Sequence, residues 1–267
     1  LSVIFIDRMQ VRAKKHLGQH FLTDKRIAEK IVAGLAPSIQ QKNVLEVGPG
    51  MGILTDFLVI DEKINLKIVD IDVESIAFLE VKYPNLKGNI ISGDFLKLPL
   101  NTVFGEGAQL SVIGNFPYNI SSQILFHAID YVGIVEEVVG MFQKEVAERI
   151  ASEPGSKEYG ILSVLMQAYY KVDYLFTVAP GVFNPPPKVK SGVIKAVRRT
   201  DDVFQGVDEK QFKSIVKMAF NQRRKTLRNA LRSMLRPEII TEPVFDLRAE
   251  RLSVNDFVEL TKLISVK

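Results

Sequence analysis

The sequence has no cysteine, which excludes disulfides, iron–sulfur clusters and zinc held by thiolates. Histidine is scarce as well: His16, His20 and His127 are the only three, and no metal site is expected from them. No apolar run approaches the ~20 residues of a membrane-spanning helix, so no membrane partner is expected. Residues 1–6 are largely apolar but lack a basic lead and are too few for a secretory signal, and Met9 reads as the natural start. A cytoplasmic location fits these absences. Acidic residues are missing from two stretches. Residues 210–236 hold nine lysines or arginines and residues 183–199 hold five more, with no aspartate or glutamate in either. The net charge is only +4. Charge concentrated in this way is the footprint of a polyanion, and nucleic acid is the expected partner.

The 267 residues suffice for one sizeable α/β domain with a smaller appendage. Short apolar runs alternate with helical patterns through the first two-thirds. Strands are expected at 43–47, 66–71, 89–92, 109–114 and 137–142. Helices are expected near 53–60, 73–82 and 122–131, and from Lys144 onward. Such alternation implies parallel pairing and a doubly wound sheet with helices on both faces. The pattern then changes. A helix near 160–170 leads to strands at 172–178 and 192–198, separated by a Pro-rich segment at 180–187, and two strands so joined can pair antiparallel. After Thr200 the reading is helical, with a start at Asp208, a break at Asn221 and a last helix near 254–264. The expected domains are therefore 1–200, an α/β domain, and 201–267, a small all-α domain.

Val44-Leu-Glu-Val-Gly48-Pro-Gly50-Met-Gly52 runs from strand to glycine loop to helix. Without a Cβ, glycine lets the backbone approach a ligand closely. The dinucleotide pattern G-x-G-x-x-G is missed, because Ile53 holds the third glycine position, so a nicotinamide cofactor is disfavoured. No P-loop lysine follows, which disfavours nucleoside triphosphates. Asp70 and Asp72 come about twenty residues after the loop, where a carboxylate can accept from a ribose diol. Asp94 ends the third strand, as a candidate acceptor for an amine, and Asn115 ends the fourth. Ligands of open parallel sheets bind beyond the carboxyl ends of the strands, so these residues share one rim. A nucleoside without phosphates suits them, and S-adenosylmethionine, with its cationic sulfonium, is the expected cofactor.

Asn115-Phe116-Pro117-Tyr118 resembles the N-[LP]-P-Y motif of adenine-N6 methyltransferases. The resemblance extends along most of the chain. Lys15-His16-Leu-Gly-Gln-His20-Phe-Leu22 is similar to the basic opening of the ribosomal RNA adenine dimethyltransferases. Gln143–Arg149, Gly155–Gly160, Phe183-Asn-Pro-Pro-Pro-Lys-Val189 and Ala219-Phe-Asn-Gln-Arg-Arg-Lys-Thr-Leu-Arg-Asn229 match that family too, and lie nearer its small-subunit branch than its large-subunit resistance methylases. The resemblance implies a Rossmann-like methyltransferase that dimethylates N6 of two adjacent adenosines near the 3′ end of 16S rRNA, with a role in ribosome biogenesis. It implies that His20, Leu22, Gly48, Asp70, Asp94 and Asn115 line the cofactor, beside Gly50 of the loop. Two positions depart from the family: His20 replaces its usual Asn and Asp70 its usual Glu, a shorter reach towards a ribose.

The chemistry fits that implication. An adenine amine is a poor nucleophile because its lone pair is delocalised into the ring. Asn115 and the Phe116 carbonyl can accept its two N–H groups and so free that lone pair, while Pro117 stiffens the turn. Tyr118 can stack on a base taken out of its helix, and the resemblance implies that Phe183 stacks on the other side. His127, on an apolar helix face, reads as packed. Arg223, Arg224, Lys225 and Arg228 are read as one helical stretch whose leucines pack inward and whose cations grip RNA phosphates. A monomer is expected. The competing readings are a large-subunit adenine methylase and a non-catalytic assembly or transcription factor, which an intact Asn115–Tyr118 motif disfavours.

Overall fold

The computed structural model describes residues 11–37 and 41–265; the start expected at Met9 lies outside them. The described strands are β1 (Phe21–Leu22), β2 (Lys42–Val47), β3 (Ile64–Asp70), β4 (Ile90–Ser92), β5 (Leu110–Asn115), β6 (Val135–Gln143), β7 (Tyr170–Val178), β8 (Phe183–Asn184) and β9 (Ser191–Arg198). Seven of them form one sheet in the order β4-β3-β2-β5-β6-β9-β7. β4, β3, β2, β5 and β6 pair in parallel, and β9 pairs antiparallel with β6. The strands expected at 172–178 and 192–198 are hydrogen-bonded neighbours, β7 and β9. β1 and β8 form a separate antiparallel ribbon of two residues each, too short for a periodicity to announce.

The central strands are buried on both faces and read as continuous apolar runs, as a covered parallel sheet demands. In β5, Leu110, Val112 and Ile113 are inaccessible to solvent. Helices α1 (Lys25–Val32), α2 (Thr55–Leu58), α3 (Val73–Lys82), α4 (Leu100–Val103) and α5 (Ser121–Asp130) fall between or before the strands. Asp24 and Asp72 cap α1 and α3, each accepting a backbone N–H of the first turn. His127 on α5 packs edge-on against Phe95 and Tyr131, with Nε2 3.0 Å from the Leu98 carbonyl, as a packed histidine should. His16 and His20 stand four residues apart, but His16 lies in a 3-10 turn over Lys15–Leu17 that ends at a left-handed Gly18, so the two share no helix face.

The chain divides into two compact units. One reaches to Ala147 and takes in Asp173–Arg198; the other comprises Glu148–Val172 and the chain from Arg199. The single boundary expected at Asp201 therefore misses a segment. Residues 148–172 follow the sheet in sequence, yet they hydrogen-bond to later residues: Tyr169 Oη to Glu209, the Gly155 N–H to the Glu250 carbonyl, and the Arg199 N–H to the Tyr169 carbonyl. The second unit is not purely C-terminal. Its helices include α7 (Ile161–Tyr169), α8 (Glu209–Asn221), α9 (Leu227–Ala230) and α10 (Val254–Ser265), which follow α6 (Lys144–Ala151). Phe212, Phe220 and Phe257 form its buried centre. Among the described residues no helix is long and apolar enough to cross a membrane.

Candidate active site

The parallel strands end on one rim, and the residues that follow them line a single cleft in the first unit. After β2 the chain turns through Gly48, Gly50 and Gly52, all at positive φ (68°, 56° and 78°), where any other residue is strained. A side chain at 50 would also strike the Phe21 ring at 2.8 Å, so Phe21 of β1 packs directly on the loop. The loop is held from the next strand as well: the Gly48 N–H donates to the Val69 carbonyl, and the Gly50 N–H to Asp70 Oδ2.

Asp70 ends β3, lines the cleft and is 7% exposed. Its Oδ1 accepts the Asp72 N–H at 2.9 Å, so both oxygens are already steered by the backbone. Burial pushes its carboxyl up, against those backbone hydrogen bonds. Asp72 faces the other way. It accepts from Lys14 Nζ at 2.5 Å and Gln19 Nε2 at 3.1 Å, which tie the N-terminal segment to the start of α3. Burial alone would raise Asp72, but the Lys14 and Gln19 hydrogen bonds outweigh it and hold the carboxyl below its ordinary range. Asp94 lines the cleft beyond β4 and accepts the Leu96 N–H.

Asn115 is the last residue of β5. Its Nδ2 donates to the His20 carbonyl at 2.8 Å, which fixes the amide and leaves Oδ1 as the acceptor. The Phe116 carbonyl next to it takes no donor among the described residues. The Phe116 ring points the other way, into the core, where it meets Phe142 at 5.0 Å. Tyr118 is half-buried, its hydroxyl 2.6 Å from Ser191 Oγ and its ring 5.4 Å from the His20 ring. Burial raises the Tyr118 phenol. His20 Nδ1 stands 2.8 Å from the Pro185 carbonyl, so one residue touches Asn115, Tyr118 and the Pro-rich loop.

Thus His20, Gly48, Gly50, Asp70, Asp94 and Asn115–Tyr118 share one cleft, as expected. Other expectations need correction. Phe183 is not in the cleft wall: it is 4% exposed and packs in the core cluster with Leu22. The reason is alternation in the β1–β8 ribbon, which turns Phe183 inward and Asn184 outward. Leu22 is buried too and borders only a smaller adjoining pocket, with Gly48, Gly50 and Asn115. The basic stretch is not one helix. α8 stops at Asn221, Arg223–Lys225 lie in a turn, and α9 begins at Leu227. Arg223 Nη2 donates to the Lys157 carbonyl at 2.6 Å, and Arg228 is paired with Asp246 at 2.6 Å. Arg224 and Lys225 are exposed. Sequence reasoning missed Lys14, Phe21 and Ser191. No local pattern marks them, because each acts through a partner more than 25 residues away.

The donor set decides what the cleft accepts. No lysine or arginine is among its lining residues, whereas Asp70 and Asp94 are, and Val69, Ile71, Phe95 and Leu96 add apolar walls. Such a lining repels phosphate and accepts a nucleoside with a cationic tail, which is the S-adenosylmethionine of a Rossmann-like methyltransferase. The particular family follows from the sequence. Residues 10–265 match the family model for ribosomal RNA adenine dimethylase, and the chain belongs to that family. Membership makes it an S-adenosylmethionine-dependent rRNA adenine dimethyltransferase. It is 54% identical over 259 residues to "Ribosomal RNA small subunit methyltransferase A" of Cytophaga hutchinsonii, covering 97% of this chain and 99% of the relative. The protein of the same name in Flavobacterium johnsoniae is 53% identical over 256 residues, covering 96% and 97%. A dimethyladenosine transferase from Plasmodium falciparum superposes with a TM-score of 0.72 at 27% identity, over 90% of this chain and 96% of that one. The 23S rRNA methyltransferase ErmE shares the fold, with a TM-score of 0.70 at 20% identity over 92% and 100%.

Proposed function

We propose that this chain dimethylates N6 of two adjacent adenosines near the 3′ end of 16S rRNA. It acts as a cytoplasmic monomer on the assembling small subunit and serves ribosome biogenesis. The observation that carries the reading is the Asn115–Tyr118 turn, whose amide is oriented by the His20 carbonyl. The relatives named for the small-subunit RNA favour that substrate over the large subunit.

When bound, S-adenosylmethionine supplies a sulfonium methyl as the electrophile. The chain's own residues do the rest. In the first transfer Asn115 Oδ1 and the Phe116 carbonyl each accept one N–H of the target amine, drawing nitrogen towards a tetrahedral shape with its lone pair free; the methylated nitrogen sheds one proton to solvent, and in the second transfer the single N–H that remains is accepted by one of the two. Both acceptors are in place before the reaction, so they favour the developing charge without reorganising. Tyr118 stacks on the flipped adenine, and its bond to Ser191 keeps the ring upright. Asp70 faces the ribose diol, Asp94 the cofactor's adenine amine, and His20, Leu22, Gly48 and Gly50 complete that pocket. Phe183 supports the site from the core. Arg223, Arg224, Lys225 and Arg228 grip phosphates, with Arg224 and Lys225 carrying most of the contact.

The test is methyl incorporation from labelled S-adenosylmethionine into undermethylated small subunits, with large subunits in parallel. Dimethyladenosine at adjacent positions of the small-subunit RNA is expected. Incorporation into large-subunit RNA alone would overturn the substrate, and none in either would overturn the activity.

A further inference from the structure

Gly114 and Gly140 face each other as register partners on the neighbouring strands β5 and β6. The Phe116 ring lies across both. A Cβ built at Gly140 would stand 2.0 Å from Phe116 Cε2, 2.6 Å from Cδ2 and 2.9 Å from Cζ. One built at Gly114 would meet the other edge of the same ring at 2.8 Å, and also the Val47 carbonyl at 2.5 Å. Phe142 flanks the ring at 5.0 Å, and Phe116 is 1% exposed, so the ring has nowhere to retreat. Glycine weakens a strand interior and costs about 0.5–1 kcal/mol relative to alanine, so two paired across a buried sheet require a reason. The seat for this ring is that reason.

We infer that Gly140 is a positioning residue for methyl transfer: its bare backbone seats the Phe116 ring, and the seated ring fixes the Phe116 carbonyl where the target amine must bind. This rests on the reading in which that carbonyl accepts an amine N–H. Carbon atoms pack at about 3.5–4.0 Å, so a methyl at 140 would force the ring back by more than ~1 Å. The carbonyl is on the same residue and follows. Misplacing a reacting group by ~1 Å costs on the order of a hundredfold in rate. Gly140 is the cleaner test of the pair, since Gly114 also abuts backbone.

The experiment is a double-mutant cycle on the full chain with small subunits as substrate. Gly140→Ala is expected to lower kcat by about tenfold to a hundredfold, with KM for S-adenosylmethionine and its calorimetric affinity within about twofold of wild type. Phe116→Ala removes every ring atom that a methyl at 140 would strike, Cδ2, Cε2 and Cζ, lowers kcat on its own, and should make Gly140→Ala nearly silent when the two are combined. An equal loss from Gly140→Ala in both backgrounds would overturn the proposal, as would a loss of stability with kcat retained. If Gly140→Ala does not fold, the combined variant should; failure of both would also overturn it. Asn115→Ala runs alongside. Activity in wild type and none in Asn115→Ala keeps the underlying reading intact whatever the cycle shows.

Discussion

Asn115 and Arg224 are both proposed to meet RNA, and they are held in opposite ways. Asn115 closes a buried strand and donates to a carbonyl 95 residues away in sequence, and the turn after it is tied to Ser191. Arg224 lies in an exposed turn with no hydrogen bond or ion pair among the described residues. The difference follows from what each must do. Accepting a proton-bearing amine in line with a methyl group needs geometry fixed to a fraction of an ångström. Neutralising phosphate acts over the ~10 Å range of a screened charge, and a mobile guanidinium serves it as well as a fixed one. Rigidity is therefore concentrated where bonds change.

That contrast is most easily broken at its rigid end. Asn115→Ala should lower kcat by about 10²–10³-fold or more, with cofactor affinity and RNA affinity largely kept. Single-turnover methylation beside calorimetry checks both, and unchanged turnover would remove the role assigned to the amide. At the loose end, Arg223, Arg224 and Lys225 changed together to Ala should weaken RNA binding by about tenfold or more at low salt and flatten the log Kd against log salt slope by about two. Arg228→Ala should move that slope less, because Asp246 already holds its charge. A slope that stays put in the triple variant would place the RNA elsewhere.

The legible parts of this site were those written in consecutive residues. The glycine loop, Asp70, Asp94 and Asn115–Tyr118 each end a strand, and a parallel sheet brings strand ends together whatever the details. The sheet itself could be read from its alternation. What could not be read was anything that depends on a partner distant in sequence. The resemblance implies a stacking role for Phe183, but a two-residue ribbon with Phe21–Leu22 turns it inward. The break at Asn221 is legible and α8 does stop there, but nothing in the composition of Arg223–Lys225 shows that the chain stays in a turn until α9 begins at Leu227. Residues 148–172 gave no sign that they belong with the chain after Arg199, since helix periodicity says which face is buried and not against what.

Between the two extremes lies the clasp at Asp72, which is rigid but touches no reacting atom. Asp72→Asn removes the charge that holds Lys14 and Gln19. The loss of one charge-assisted hydrogen bond is worth roughly 1.5–3 kcal/mol, so the Kd for S-adenosylmethionine should rise by about tenfold or more with kcat at saturation little changed. A fall in kcat without a change in Kd would make Asp72 part of the reacting geometry instead.

The smallest effect expected concerns Glu46, buried in β2 beneath the glycine loop, with Thr55 Oγ1 donating to it at 2.6 Å. Burial drives its carboxyl up to about 8; the Thr55 hydroxyl holds the shift back and the nearby charge of Asp70 adds to it. The folded chain therefore keeps a proton that the unfolded chain, titrating at about 4.3, has released. Between those two values the native state binds more protons, so this group's contribution to stability is full below the lower value and falls as pH rises towards the upper one. Glu46→Gln keeps the shape and an acceptor for Thr55 but cannot ionise. Subtracting its calorimetric Tm from that of the wild type across pH 4–9 should leave a difference that declines in favour of the variant as pH rises. A flat difference would mean that Glu46 is ionised in the folded protein, and the loop would then be held by a charge, as the clasp at Asp72 is, and not by a neutral hydrogen bond.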